Sequence, residues 1–175
     1  METRKLKIAF ILDSLLCCGG NKVALEHALY LQELHHNVTI LVLNDGESSD
    51  WFIGDKLLRF KRLINCDELS SYDVAIAIYF TGALFLLACD TTAAKLWFVQ
   101  GDDRRSVGDS EKNIINLLYA SKALTIFTEA YWIQKMFFNE FGHYVEVIPN
   151  GVNLNIYYPE RGFYWTEESP LIICE

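Results

Sequence analysis

The sequence predicts an α/β protein of the Rossmann-like, doubly wound kind, with a mainly parallel sheet. Three observations carry that prediction. Short apolar runs alternate with helix-like segments at least five times along the chain. The connections between them are short, which parallel strands joined by crossover helices allow. The first run, Leu6–Leu12 (LKIAFIL), is continuously apolar, the mark of a strand covered on both faces.

The elements follow in order. After Leu6–Leu12 comes a loop, Asp13–Gly20, ending in two glycines, and Asn21 is placed to cap the next helix. That helix runs to about His36, with Val23, Ala24, Ala28, Leu31 and Leu34 at helical spacing. Asn37–Leu43 (NVTILVL) is a second strand. Leu57–Ile64 mixes cations with apolar residues and fits either a helix or a short third strand. Val74–Phe80 is a buried strand, Gly82–Cys89 a short helix and Lys95–Gln100 another strand. Gly101–Asp109 is a charged loop, and Ser110 is placed to cap a helix to Ala120. Ala123–Thr128, Ala130–Phe141 and Val145–Ile148 read as strand, helix and short strand, stopped by Pro149-Asn150-Gly151. The alternation ends at Pro159. Residues 1–159 are therefore expected to form one domain, and 160–175 a linker whose last run, Leu171–Cys174, opens something further.

The chain has 175 residues, enough to bury a core without staples. Hydrophobic types make up 51%, which excludes a disordered chain. Fifteen Lys and Arg against 23 Asp and Glu leave a net charge of −8, so no nucleic-acid partner is expected. Five cysteines without a Cys-x-x-Cys point neither to a zinc site nor to a secreted disulfide framework, and a cytoplasmic home is the simplest expectation. Met1–Lys7 is charged and shows no cleavable signal peptide, and the uncharged stretch between Asp73 and Asp90 is too short to span a membrane.

In open α/β sheets, ligands sit beyond the carboxyl ends of the strands. The residues expected there are Gly19, Gly20, Asn21, Gln100, Asp102, Thr128, Glu129, Asn150 and Gly151. Gly19-Gly20 opens a helix whose N-terminus can receive an anion; the plainer reading is a loop that needs positive φ. No G-x-G-x-x-G and no Walker pattern occurs, which argues against nicotinamide dinucleotide and P-loop sites. No cofactor is expected. No Asp-x-Asp is present to hold a divalent metal on a diphosphate, and His27, His35, His36 and His143 form no ligand motif. Cys17 and Cys18 read as small packing residues, and Asp102-Asp103-Arg104-Arg105 as a solvated loop. Lys56, Arg59, Lys61 and Arg62 form the one basic cluster. As a helix it could make peripheral contact with anionic lipid; as a strand it is ordinary structure, the preferred reading.

Two stretches carry a family resemblance. Gly19-Gly20, a helix, then His36-Asn37-Val38-Thr39-Ile40 resembles the opening of family 4 glycosyltransferases with the GT-B fold. Val147-Ile148-Pro149-Asn150-Gly151-Val152-Asn153, closed by Tyr158-Pro159, is similar to that family's Ile-Pro-Asn-Gly-Val-Asp junction. Ala123–Glu129 (ALTIFTE) matches the strand between them, with Thr128 in place of serine. His35 stands where the family usually has glycine, Asn153 where it has aspartate, and Gln100 where many members carry histidine. The Phe-Val-Gln form is similar to a subset transferring deoxysugars. The resemblance covers about Lys5–Pro159.

It implies the N-terminal, acceptor-side domain of a retaining, metal-independent glycosyltransferase of the kind that builds polysaccharides. Such an enzyme moves a hexosyl or deoxyhexosyl group from a nucleotide-sugar donor to a glycan or lipid-linked acceptor. It would work in the cytoplasm, at the inner face of a membrane where the acceptor is lipid-linked. The family's catalytic glutamate pair belongs to the C-terminal domain; Glu160…Glu168 and Glu167…Glu175 repeat its spacing without its surroundings. This chain alone is then expected to be inactive. The competing class is a stand-alone Rossmann-like binding module with no catalysis, which a parallel sheet alone supports equally.

Overall fold

The computed structural model describes residues 4–44, 48–152 and 154. Among the described residues, seven strands form one sheet: β1 (Lys7–Leu12), β2 (Asn37–Val42), β3 (Arg59–Arg62), β4 (Val74–Ala77), β5 (Ala94–Val99), β6 (Thr125–Thr128) and β7 (Glu146–Val147). Their order is β3-β2-β1-β4-β5-β6-β7, and every pairing is parallel. The α-helices among the described residues are α1 (Gly19–Glu33), α2 (Phe80–Ala88), α3 (Asp109–Ala120) and α4 (Tyr131–Phe141), each connecting two strands. The Rossmann-like α/β expectation holds.

Strand alternation splits the core into two layers. Ala9 and Ile11 of β1 join Leu86 of α2, Ile115 of α3 and Phe137 of α4 on one face. Ile8, Phe10 and Leu12 meet Ala24, Leu25 and Ala28 of α1 on the other. In the first layer Tyr119 sits between Trp97, at 5.1 Å, and Phe137, at 4.8 Å, and all three are fully buried. Helix α2 presses hard on the sheet: a Cβ at Gly82 would lie 3.4 Å from the Ile11 carbonyl oxygen.

The Leu57–Ile64 run takes its strand alternative: Arg59–Arg62 form β3, behind a 3-10 turn at Asp55–Leu57. Several other expectations are corrected. Neither expected cap is used. Helix α1 starts at Gly19 behind Cys18, and Asn21 lies inside it. Helix α3 starts behind Gly108, and the Ser110 hydroxyl bonds Glu111. The strand expected to reach Phe80 stops at Ala77, because Phe80 already begins α2 and its Thr81-Gly82 pair is helical.

The cysteines also differ. Cys66 and Cys89 form a disulfide, 23 residues apart in sequence. Cys66 opens the 3-10 turn before β4 and Cys89 ends α2 before β5, so the topology brings both to the amino edge of neighbouring strands. That pair removes the cysteine argument for a reducing compartment. Cys17 and Cys18 are free and exposed rather than packed. The 160–175 linker, the Leu171–Cys174 run, both glutamate spacings, Asn153 and Tyr158-Pro159 lie outside the described residues.

Adjacent phenylalanines test the layer. Phe137 is fully buried and Phe138 is 62% exposed. Phe137→Ala should cost about 3–5 kcal/mol, and Phe138→Ala should stay within about 0.5 kcal/mol, read from urea unfolding midpoints.

Candidate functional site

The strand order steps from β1 to β3 on one side and from β4 to β7 on the other, so it reverses between β1 and β4. In open α/β sheets such a point opens a crevice between adjoining loops at the carboxyl edge. The Asp13–Cys18 loop, the start of α2, the Gln100–Ser106 loop, Glu129 and the Ile148–Gly151 segment all emerge at that edge.

The glycine pair is settled by its backbone. Positive φ among the described residues occurs at His35, Gly54 and Gly142, so Gly19 and Gly20 are not left-handed turn residues. Above Gly19 the space is open, and a Cβ on Gly20 would meet only the Gln100 amide, at 3.7 Å. Gln100 holds this arrangement: its Nε2 donates to the Gly20 carbonyl at 3.1 Å, tying the end of β5 to the first turn of α1. Asn21 faces inward. Its Nδ2 donates to the carbonyls of Ser14 and Leu16, at 3.0 and 2.8 Å, so it shapes the preceding loop. On the other side of the reversal, Asp13 Oδ1 accepts from Thr81 Oγ1 and Asn44 Nδ2, both at 3.1 Å, joining β1, β2 and α2.

A second group sits at the β6–β7 end. Asn150 Nδ2 donates to Glu129 Oε2, and His27 Nε2 lies 3.2 Å from Asn150 Oδ1. His27 also stands edge-on to Phe98, at 5.6 Å between ring centres. The sequence set His27 aside with the other histidines. Its partner is 123 residues away, so no local spacing could reveal it. Gly151 is exposed beside Asn150. Thr128, expected on the rim, is fully buried beneath it, with a hydroxyl that has no hydrogen-bond partner among the described residues.

Of the Asp102–Arg105 stretch only Arg105 is solvated as expected; Asp102, Asp103 and Arg104 are largely enclosed. Asp102 grips Arg104 with both oxygens, at 2.7 and 2.9 Å, and its side chain is 11% exposed. Arg104 reaches on to Asn116 of α3 and Glu140 of α4, at 3.1 and 2.7 Å. Asp102 thus faces a brace rather than the crevice. Burial pushes its carboxyl up, but the hydrogen bond and charge of Arg104 outweigh this and hold it below the usual range.

Asp103 has no such partner. Its Oδ2 is buried with no hydrogen-bond partner among the described residues, while its backbone N–H donates to the Tyr119 hydroxyl at 3.1 Å. Burial, then the neighbouring Asp102 charge, push its carboxyl up to about 7, opposed by the Phe80 N–H. Burial, then Asp103, likewise raise the phenols of Tyr119 and Tyr79. Among the described residues no group of three His, Cys, Asp or Glu could hold a metal ion.

No protein-family model and no curated protein matches the sequence. Solved structures do match. The chain superposes on Anabaena HepE, solved with UDP and glucose, with a TM-score of 0.70 and 14% identity, over 89% of this chain and 47% of that one. It superposes on an α-glucosyltransferase solved with UDP-glucose and DNA containing an abasic site, with a TM-score of 0.57 and 14% identity, over 94% and 47%. A further α-glucosyltransferase complex, with UDP and a 13-mer DNA, gives 0.59 at 12% identity, over 90% and 46%. The chain spans about half the length of these structures. It has the Rossmann-like α/β fold seen in GT-B glycosyltransferases.

Asp103 makes the fold proton-linked. The folded state keeps a proton that the unfolded chain, near 3.8, has already lost. Stability from this group is therefore full below about pH 4 and falls as pH rises to about 7, by roughly 4 kcal/mol at most. Asp103→Asn should flatten that part of the urea-unfolding pH profile and gain on the wild type between about pH 5 and pH 8. Parallel profiles for the two proteins would contradict the assignment.

Proposed function

We propose that this chain is the N-terminal, acceptor-side domain, residues 1–159, of a retaining GT-B glycosyltransferase of family 4. It would help transfer a hexosyl or deoxyhexosyl group from a nucleotide-sugar donor to a glycan or lipid-linked acceptor at the cytoplasmic face of a membrane. The observation that carries the reading is the open carboxyl edge at the strand reversal. There α1 begins on two glycines with clear space above Gly19, and Gln100 fixes the approach. The likeness to chains solved with UDP and glucose, or with UDP-glucose, supports a nucleotide-sugar donor.

The roles follow from the chemistry of the groups. Free N–H groups at the start of α1 offer a diphosphate hydrogen bonds and the positive end of the helix dipole, with no metal required. Gly19 and Gly20 let the ligand come down to the backbone. Gln100, Glu129, Asn150 and Gly151 offer donors and acceptors to sugar hydroxyls. Asn21, Asp102 and Thr128 support that rim from behind, through the loop, the Arg104 brace and the β6 end. A second domain would close the crevice and supply the other wall. Transition-state stabilisation in a closed cleft needs both walls, so the single domain binds weakly and does not turn over.

Two measurements test this. In amide NMR spectra of the labelled chain, millimolar UDP-glucose should shift Gly19, Gly20, Gln100 and Gly151. Silence there, or sugar transfer by the 175-residue chain above background hydrolysis, would overturn the reading. In the two-domain protein, Gly20→Val should lower kcat/KM about tenfold or more while the melting temperature holds, because its Cβ has ordinary room beside Gln100. Unchanged kinetics would leave the glycines as a helix start only.

A further inference from the structure

The Cys66–Cys89 disulfide lies at the amino edge of the sheet, and the helix it holds runs to the opposite edge. We propose that this pair is a redox latch: a dithiol reductant opens it, frees the carboxyl end of α2, and through that helix loosens the loops bordering the crevice. The latch takes no part in sugar-transfer chemistry.

The helix is the link. Helix α2 has nine residues, fewer than the about 12 an isolated helix needs in water. None of them is charged, and no side chain caps its first turn. Its position therefore depends on packing and on how its two ends are held. At the amino end, Thr81 Oγ1 donates to Asp13 Oδ1 at 3.1 Å, and the Phe80 N–H donates to the Asp103 carboxyl. Asp13 follows β1 and Asp103 follows β5, the two neighbours of β4, so these bonds reach loops on both sides of the strand that feeds α2. At the carboxyl end, the Cys89 carbonyl accepts from Lys95 Nζ. The disulfide adds a covalent tie from there to the turn before β4.

The two sulfurs differ in access. Cys89 is buried, whereas Cys66 is half-buried between exposed Asn65 and Asp67. A reductant thiolate therefore attacks Cys66 Sγ; the S–S bond breaks, and Cys89 leaves with the electron pair and takes up a proton. The second thiol of the reductant then displaces Cys66 from the mixed disulfide. The reductant ends as a disulfide, two electrons poorer, and the protein ends with two thiols. The fold survives this change, because both cysteines pack on the first core layer, where thiols serve as small apolar groups. In the cytoplasm that the proposed function assumes, a disulfide is transient or redox-sensing rather than a permanent staple.

The test uses the labelled 175-residue chain. Excess dithiothreitol should raise its titratable thiol count by one pair. The melting temperature should fall by about 5 °C or more, with the transition still cooperative. Amide signals of Asp13, Thr81 and Asp103 should shift together with those of Cys66 and Cys89, and reoxidation by glutathione disulfide should restore them. Cys66→Ala with Cys89→Ala should take the reduced positions at Asp13, Thr81 and Asp103 and ignore the reductant. Cys17→Ser with Cys18→Ser, at exposed free cysteines, should respond as the wild type does. A thiol count that does not rise, shifts confined to the amino edge, or non-cooperative unfolding on reduction would overturn the proposal.

Discussion

Strand β1 lies between two parallel neighbours and between two helical layers, and five of its six residues are buried. That double burial is the constraint on which the other elements depend. A strand with no solvent face must be apolar throughout, and its backbone must pair on both edges. Its partners, β2 and β4, both come later in the chain and pair with its opposite edges, so the strand order has to reverse beside it. The reversal opens the crevice. Because every strand is parallel, all carboxyl ends reach that one edge, and all amino ends reach the other.

The two edges are held in different ways. At the carboxyl edge, side chains from distant segments bond across: Gln100 to the first turn of α1, Thr81 to Asp13, Asn150 to Glu129 and His27. Arg104 braces the loop after β5 against α3 and α4 through Asn116 and Glu140. The cost of that bracing is Asp103, left beside Asp102 with a buried oxygen that has no hydrogen-bond partner among the described residues and a carboxyl that favours its proton. At the amino edge, the Cys66–Cys89 disulfide ties the turn before β4 to the end of α2.

Much of this was legible in the sequence. The runs at Leu6, Val38, Val74, Leu96, Leu124 and Val145 all form strands of the sheet, because buried parallel strands announce themselves as continuous apolar runs. The glycine pair and the Asn150-Gly151 stop correctly marked segments at the carboxyl edge. What misled was local chemistry read without its partners. Asn21 has the profile of a cap, yet it is a loop brace, because α1 begins two residues earlier. Asp102 and Arg104 have the profile of a solvated turn, yet they are a largely buried pair, because α3 and α4 close over them.

The sequence by itself determined the fold class, the strand positions and which segments gather at the carboxyl edge of the sheet. Hydrophobic periodicity and turn residues act over a few positions, and that is enough to write elements in order. Tertiary structure decided everything that depends on residues far apart in the chain. It joined Cys66 to Cys89, set His27 beside Asn150, turned Asp102 inward, hid Thr128 under the rim and gathered Lys5, His35 and Arg59 around one groove. The physical reason is separation: such contacts arise from strand order and helix packing, and no short window of sequence contains both partners.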